Sequence, residues 1–320
     1  MDNVTKKIML FSGTSNAKLA ERISEATGIP LGNVRHEKFA NGEIYARYLD
    51  SVRGADLFIV QSIAGEVNDA LMELLIMTDA AKRASARSVT AVISHYGYSR
   101  QDRKSASREP ITAKLVANLL QAAGVDRIIT IDLHQGQIQG FFDRPVNHLT
   151  ALGLFADYFN AKKIENLCVV SPDVGRAKAN KKLAQMLNAD LAIMAKNRPA
   201  HNVAEVSTVI GDVRGKNCIV NDDMIDTAGT ISNGMKALKE AGAESIHICA
   251  THGIFSGPAF ERLEACPAEE IVVCDTVPMD ESKMSDKFHV ISVAPLLGKA
   301  IMNVYNDESV SGLFDPDFAL

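Results

Sequence analysis

The sequence has no long hydrophobic run, no block of like charge and no closely spaced pair of cysteines. A helix that crosses a bilayer needs ~20 mostly apolar residues, so a transmembrane protein is excluded. The start carries only a short apolar run, Ile8 to Phe11, before a Ser-Gly pair. That run is too short for the core of a signal peptide. We therefore expect a cytoplasmic protein that does not associate with membranes.

The composition is that of a globular protein rather than a disordered one, with 47% apolar and 23% charged residues. A length of 320 residues, at roughly 150 residues per domain, predicts about two domains. The net charge of −5 argues against nonspecific electrostatic binding of nucleic acid but is compatible with a local anion site. The five cysteines form no Cys-x-x-Cys pair, and we interpret them as reduced packing residues.

Apolar strand-like runs alternate with helical patterns along nearly the whole chain. A strand over residues 57–60 precedes a helix over 68–86, and a strand over 89–93 precedes a helix that opens at Glu109-Pro110 and closes at Gly124. This alternation predicts an α/β fold with mainly parallel sheets and helices on both faces.

The pattern restarts near residue 165, and the two halves resemble each other. Residues 123–134 align without gaps on residues 241–252, with 4 identities in 12 positions. We therefore expect a duplicated α/β unit, with domains at 1–148 and 149–302. The tail, from about 303 to 320, is expected to pack back on the first domain.

A small-residue loop that opens a helix follows an apolar strand near residue 220. Ala228 and Gly229 allow the backbone to approach a ligand closely. Their amides, the hydroxyls of Thr227 and Thr230, and the helix N-terminus can then surround a phosphate. The loop therefore predicts a phosphate site.

Two adjacent carboxylates, Asp222 and Asp223, end the strand before this loop. A bound phosphate repels carboxylates, so these side chains need another role, and binding the diol of a sugar is the most economical one. A helix N-cap would explain Thr230 or Asp226 but not the paired aspartates. The pattern resembles the 5-phosphoribosyl diphosphate loop of the type I phosphoribosyltransferase fold.

Other polar segments also follow predicted strands, where parallel sheets place ligands. His134 and Asp173 can hold Mg²⁺, although each is also a reasonable loop cap. The segment 96–104 combines aromatic, amide and cationic groups that suit a nucleotide, or else forms a solvated turn. Lys196 and Arg198, two positions apart in an extended chain, point to the same side and suit a phosphoryl group, or else belong to a mobile basic loop.

Taken together, these segments resemble the ribose-phosphate pyrophosphokinases over essentially the whole chain and in the family's order. The resemblance implies two tandem type I phosphoribosyltransferase-like domains. It also implies transfer of the β,γ-diphosphate of ATP to the 1-hydroxyl of ribose 5-phosphate, which yields 5-phosphoribosyl 1-diphosphate and AMP. Two alternatives are a non-catalytic regulatory relative and a phosphoribosyltransferase that consumes the diphosphate product.

The resemblance also implies roles for individual residues. ATP is expected to contact Phe39, Asn41, Gly42, Glu43, Arg100 and Gln101. Mg²⁺ is expected at His134 and Asp173. Ribose 5-phosphate is expected at Arg198, Asp222, Asp223, Asp226, Thr227, Ala228, Gly229 and Thr230. Lys196 and Arg198 are expected to be the catalytic cations.

Regulation and assembly are further expectations from the resemblance: a homohexamer, activation by inorganic phosphate and inhibition by ADP. An anion site would combine Arg53 and Lys104 with Ser309 and Ser311 of the tail, unless the tail is only a packed C-terminus. The chain departs from the family pattern at Asn41, where the family usually has Asp, at Asn221, where an apolar residue is usual, and in the stretch 175–180.

Overall fold

The structure is a computed structural model that describes residues 6–197 and 206–313. The first part of the chain contains β1 (Ile8–Ser12), α1 (Ala17–Thr27), β2 (Val34–Lys38), β3 (Ile44–Tyr48), β4 (Asp56–Val60), α2 (Val67–Arg83), β5 (Ser88–Ile93), α3 (Thr112–Ala123), β6 (Arg127–Ile131) and β7 (Val146–Leu149). The second part contains α4 (Leu152–Lys162), β8 (Leu167–Ser171), α5 (Ala177–Met186), β9 (Asp190–Asn197), β10 (Val206–Ile210), β11 (Asn217–Ile225), α6 (Gly229–Glu240), β12 (Ser245–Gly253), α7 (Ala259–Ala265), β13 (Glu270–Cys274), β14 (Phe288–Ile291) and α8 (Ala294–Tyr305).

The chain forms two compact units. Among the described residues, the first contains 6–150, 276–278 and 292–313, and the second contains the remainder. The chain therefore returns to the first unit at residue 292 and not at about 303 as the sequence suggested. The reason is that α8 packs against α1, so closely that a Cβ at Gly298 would lie 3.0 Å from the Thr27 methyl carbon.

The first unit is built on a five-stranded parallel sheet in the order β1-β4-β5-β6-β7, beside a two-stranded antiparallel hairpin of β2 and β3. Both faces of the sheet are covered. Leu57 and Ile59 of β4 belong to a buried cluster with residues of α2 and α3. Phe58 and Val60, which point the other way, are also buried.

The second unit is built on a seven-stranded sheet in the order β10-β9-β8-β11-β12-β13-β14. Only β10 runs antiparallel to its neighbour. The predicted α/β class with mainly parallel sheets is thus confirmed. Within the described ranges, no helix is both long and apolar enough to cross a membrane.

The two units share a strand order, but not the correspondence that the sequence repeat suggested. The order β1-β4-β5-β6-β7 parallels β8-β11-β12-β13-β14, which matches β5 with β12. The gapless alignment instead matched β6 with β12. It was misled because both strands follow a helix that ends at a left-handed glycine, Gly124 with φ 108° and Gly242 with φ 95°.

Three element boundaries near candidate residues differ from the sequence predictions. Strand β11 continues to Ile225, two residues beyond the predicted strand end at Asp223. Strand β9 continues to Asn197 and includes Lys196. Helix α3 begins at Thr112, so the predicted first-turn proline lies before the helix.

Candidate active site

The predicted phosphate loop, called the phosphate loop below, lies between β11 and α6. Ala228 adopts a left-handed conformation (φ 58°, ψ 6°) immediately before α6, which costs a non-glycine residue roughly 1–3 kcal/mol. Its methyl side chain cannot cap the first amides of α6. A strained turn that leaves a helix N-terminus without a side-chain cap from its N-cap residue has the local geometry that binds anions.

A cation from another helix contacts this loop. The Nη1 of Arg262, on α7, donates a 2.9 Å hydrogen bond to the carbonyl oxygen of Thr227. A Cβ at Gly229 would lie 3.2 Å from the same nitrogen. The sequence analysis missed Arg262, since nothing in the local pattern around it indicates that α7 meets the loop.

The paired carboxylates lie in β11. Asp223 is buried, and its amide donates a 2.8 Å hydrogen bond to Oδ1 of Asp222. Burial and the adjacent Asp223 carboxylate raise the pKa of Asp222 to about 7, against the opposing charge of Arg176. A carboxyl group with so perturbed a pKa, beside a phosphate loop, is typical of a functional site.

Arg176 is a second residue that the sequence analysis missed. Its Nε lies 3.8 Å from Oδ1 of Asp222. That nitrogen is buried and has no hydrogen-bond partner in the part of the chain that the structure describes. A buried donor without a partner costs free energy, so its position beside Asp222 suits an anionic or polyoxygen ligand.

Asp173 is exposed in the loop between β8 and α5. Its Oδ1 accepts a 3.0 Å hydrogen bond from the amide of Arg176, so Arg176 contacts the residues of both the predicted metal loop and the predicted sugar strand. The structure thus brings Asp173 and Asp222 to neighbouring strand ends in the second unit.

His134, the other predicted metal ligand, belongs to the first unit. It follows the end of β6 and is half-buried. The adjacent Leu133 amide donates a 2.9 Å hydrogen bond to Nε2 of His148, which fixes the backbone there. In residues 6–197 and 206–313, no group of three histidine, cysteine or acidic side chains is arranged to hold a metal ion.

The predicted nucleotide turn is the tip of the hairpin of β2 and β3. The Phe39 amide donates to the Glu43 carbonyl and the Gly42 amide to the Phe39 carbonyl, both at 2.8 Å. Asn41 accepts the Glu43 amide at 3.2 Å, as an aspartate would, so this departure preserves the turn. Gly42 needs its glycine because its φ is 91°. The Phe39 ring is 47% exposed and is able to stack on a base.

Arg100 and Gln101 lie in a second turn of the first unit. Tyr98 is left-handed (φ 64°), and its carbonyl accepts the Gln101 amide at 2.9 Å. Thr112, the first residue of α3, donates its hydroxyl to Oε1 of Gln101 at 2.6 Å. Gln101 is therefore held against α3, whereas Arg100 is exposed.

The predicted catalytic cations are only partly described. The backbone of Lys196 lies in β9 and is paired with Ser207 of β10. Arg198 lies outside the described residues.

The predicted anion-site residues have contacts of their own. Nη1 of Arg53 donates to the Ser85 hydroxyl at 3.2 Å, and Lys104 is exposed. The Ser311 amide donates to the Ser309 hydroxyl at 3.2 Å, and Leu313 is buried. The tail therefore combines a serine turn with an apolar anchor.

Comparison with known proteins gives a consistent result over almost the full length. Residues 8–124 match the N-terminal domain of ribose phosphate pyrophosphokinase, and residues 165–315 match the phosphoribosyl synthetase-associated domain. The chain is 51% identical over 317 residues to the ribose-phosphate pyrophosphokinase of Clostridium perfringens (strain 13 / Type A), covering 98% of this chain and 99% of that one. It is 50% identical over 315 residues to the enzyme of the same name from Bacillus caldolyticus, covering 98% and 100%.

A solved structure agrees. The crystal structure of phosphoribosylpyrophosphate synthetase from Mycobacterium smegmatis has a TM-score of 0.90 and 44% identity, covering 94% of this chain and 100% of that one.

Proposed function

The chain belongs to the ribose-phosphate pyrophosphokinase family, and we infer that it transfers the β,γ-diphosphate of ATP to the 1-hydroxyl of ribose 5-phosphate, giving 5-phosphoribosyl 1-diphosphate and AMP. The observation that carries this conclusion is about 50% identity to enzymes of that name over nearly the full length of both chains. The complete segment from Asp222 to Thr230 supports it, because a non-catalytic relative has no need of an intact sugar site.

In the second unit, we propose that the loop 227–230 holds the 5-phosphate and that the carboxylates of Asp222, Asp223 and Asp226 hold the ribose hydroxyls. The uncapped start of α6 and the left-handed Ala228 support the first assignment. Ionised carboxylates accept hydrogen bonds from a diol, which supports the second. The double substitution Asp222→Asn and Asp226→Asn should then raise KM for ribose 5-phosphate far more than KM for ATP.

In the first unit, we propose that ATP contacts the turn 39–43 together with Arg100 and Gln101. The exposed ring of Phe39 supplies an aromatic face for the base. Arg100 is exposed and supplies a cation at the surface. Gln101 is held in place by its hydrogen bond with Thr112.

We propose Mg²⁺ as the metal, with Asp173 as a candidate ligand in the second unit and His134 as a candidate ligand in the first. Mg²⁺ binds through one or two carboxylates, substrate phosphates and water rather than an all-protein cage, and the exposed Asp173 carboxylate fits that mode. When bound, the ion neutralises negative charge on the phosphates. Lys196 and Arg198 are proposed to stabilise the negative charge that develops on the transferring group. Stabilisation of that charge by positioned cations is a major part of the catalysis of phosphoryl transfer.

We also propose a homohexamer, activation by inorganic phosphate at the tail site, inhibition by ADP and a cytoplasmic location. Ile111, immediately before α3, and Leu115 and Leu119 of α3 are 38%, 53% and 39% exposed and form an apolar row. Such a row on one helix face is typical of a surface that another subunit covers. All five cysteines are buried and the described chain contains no disulfide, in keeping with a reducing compartment.

One assay tests the function. Purified protein with ribose 5-phosphate, ATP and Mg²⁺ should release AMP and 5-phosphoribosyl 1-diphosphate in equal amounts. A phosphoribosyltransferase would instead consume 5-phosphoribosyl 1-diphosphate when given a nucleobase, and a regulatory relative would release no AMP. Either of those results would contradict the proposal.

A further inference from the structure

Two buried asparagines pair with each other next to the proposed sugar carboxylates. Nδ2 of Asn221, in β11, donates a 2.9 Å hydrogen bond to Oδ1 of Asn180, in α5. Nδ2 of Asn180 donates in return to the carbonyl oxygen of Asn221 at 3.1 Å. The two residues are 1% and 0% exposed. The reciprocal pair therefore ties α5 to β11 at the residue just before Asp222.

Asn180 also holds the loop that carries Asp173. Its Nδ2 approaches the Ser171 hydroxyl oxygen at 3.1 Å and the Arg176 carbonyl oxygen at 3.2 Å. Ser171 in turn donates its hydroxyl to the carbonyl oxygen of Asp173 at 2.7 Å. One amide group thus fixes both ends of the loop.

The remaining acceptor of the pair is also used. Oδ1 of Asn221 accepts the thiol of Cys249, in the neighbouring strand β12, at 3.4 Å. Each side-chain nitrogen and oxygen of the pair thus has at least one partner, and a buried polar network whose members are hydrogen-bonded is rigid and specifies one arrangement. Asn221 is also one of the positions at which the sequence departs from the family pattern, and the pairing gives that departure a reason.

We propose that Asn180 and Asn221 act together as positioning residues that set the Asp173 loop against the Asp222-Asp223 strand. They touch neither substrate nor metal. They fix the spacing between the metal carboxylate and the sugar carboxylates, and catalysis by positioned charges is sensitive to displacements of about 1 Å. The inference rests on the proposed roles of Asp173 and Asp222.

The test is a double-mutant cycle in the full-length protein, with Asn180→Ala, Asn221→Ala and the double variant. KM for ribose 5-phosphate, KM for ATP, kcat and the urea unfolding midpoint are measured for each. Each single variant should lower kcat/KM for ribose 5-phosphate at least about tenfold and change KM for ATP less than about twofold. The double variant should have a kcat/KM for ribose 5-phosphate no lower than that of the more impaired single variant, because both residues act through one contact.

Asn217→Ala is the matched control. Asn217 is at the opposite end of the same strand, where its Nδ2 donates to the Glu165 carbonyl oxygen at 2.7 Å and its Oδ1 accepts the Ser245 hydroxyl at 2.7 Å. Its loss should lower the unfolding midpoint and leave the kinetic constants unchanged. If the alanine variants at 180 and 221 do not fold, Asn180→Ser and Asn221→Ser, which retain a small polar group, take their place.

Two results would overturn the inference: variants at 180 and 221 that lose stability without any kinetic change, as Asn217→Ala should, or kinetic losses that multiply in the double variant. Asp222→Asn separates this failure from a failure of the proposed function. If Asp222→Asn leaves KM for ribose 5-phosphate unchanged, the sugar assignment itself is wrong. If Asp222→Asn is impaired while the asparagine variants behave like the control, only the positioning role is wrong.

Discussion

Replacing Glu270 by glutamine should destabilise the second unit without affecting catalysis. Glu270 begins β13 and is 4% exposed. Its carboxylate accepts hydrogen bonds from the hydroxyl of Tyr158 at 2.8 Å, Nζ of Lys162 at 2.5 Å and Nδ1 of His247 at 2.8 Å. The side chain therefore joins α4 to strands β12 and β13, at the end of the sheet opposite to the phosphate loop.

The magnitude follows from the pKa of Glu270. Burial alone would raise it, but the hydrogen bonds from His247, Lys162 and Tyr158 outweigh burial and bring the pKa from 4.5 to about 2. At about 1.4 kcal/mol per pH unit, that difference corresponds to on the order of 3 kcal/mol in favour of the folded state at neutral pH. Glu270→Gln removes the charge at nearly constant volume, so we expect the free energy of unfolding to fall by about this amount.

The assay is urea unfolding followed by circular dichroism at pH 7, with Glu269→Gln as the control. Glu269 is the exposed neighbour, and its substitution should change the free energy of unfolding by less than about 0.5 kcal/mol. A lowered carboxyl pKa stabilises the protein above the unfolded-state value and ceases to do so as the pH falls toward the folded-state value. The difference between wild type and Glu270→Gln should therefore shrink by about 1 kcal/mol between pH 7 and pH 4.

A Glu270→Gln protein as stable as the wild type would refute the reasoning, since the hydrogen bonds would then not exceed the cost of burying the charge. A fall in stability that is the same at pH 7 and pH 4 would also refute it, because the loss would then be one of packing and not of charge.

The remaining predictions concern the proposed active site and its regulation. Lys196→Ala or Arg198→Ala should lower kcat about a hundredfold or more with little change in KM for ATP, and near-normal kcat in both would remove them from the chemical step. In wild type, KM for ribose 5-phosphate should fall as pH rises through about 7, where Asp222 ionises, whereas Asp222→Asn should lack that component of the profile; identical profiles would contradict the assignment. Arg262→Gln should raise KM for ribose 5-phosphate about tenfold, Arg262→Lys should recover part of the loss, and equal KM values in all three proteins would show that the contact with the loop has no role in binding. Inorganic phosphate should raise activity with saturation, Ser311→Asp should abolish the rise, and activity independent of phosphate at constant ionic strength and free Mg²⁺ would leave the tail with a packing role.

The sequence was most informative where a structural signal is contained in a short continuous segment. The apolar runs predicted β4 and β5 to within a residue, because a buried parallel strand must be apolar on both faces. The proposed phosphate loop could also be identified as a candidate from the sequence, since its small residues, its hydroxyls and the helix start are consecutive in the chain.

The sequence was misleading where similar local segments occur in different places. The repeat at 123–134 and 241–252 reflects a helix, a left-handed glycine and a strand, a combination that occurs at several positions in any α/β fold. Only hydrogen bonding between the strands shows that β5 and not β6 corresponds to β12.

By itself, the sequence therefore determined the α/β class, the order of most elements and the chemistry of each candidate loop, because those depend on residue type and short-range spacing. The tertiary structure alone decided that α8 returns to the first unit, that Arg262 contacts the phosphate loop and that Asn180 pairs with Asn221. Each of these depends on which elements pack together in three dimensions. The free energy of such a contact comes from burial and from satisfied hydrogen bonds between residues far apart in the chain, and no local pattern records it.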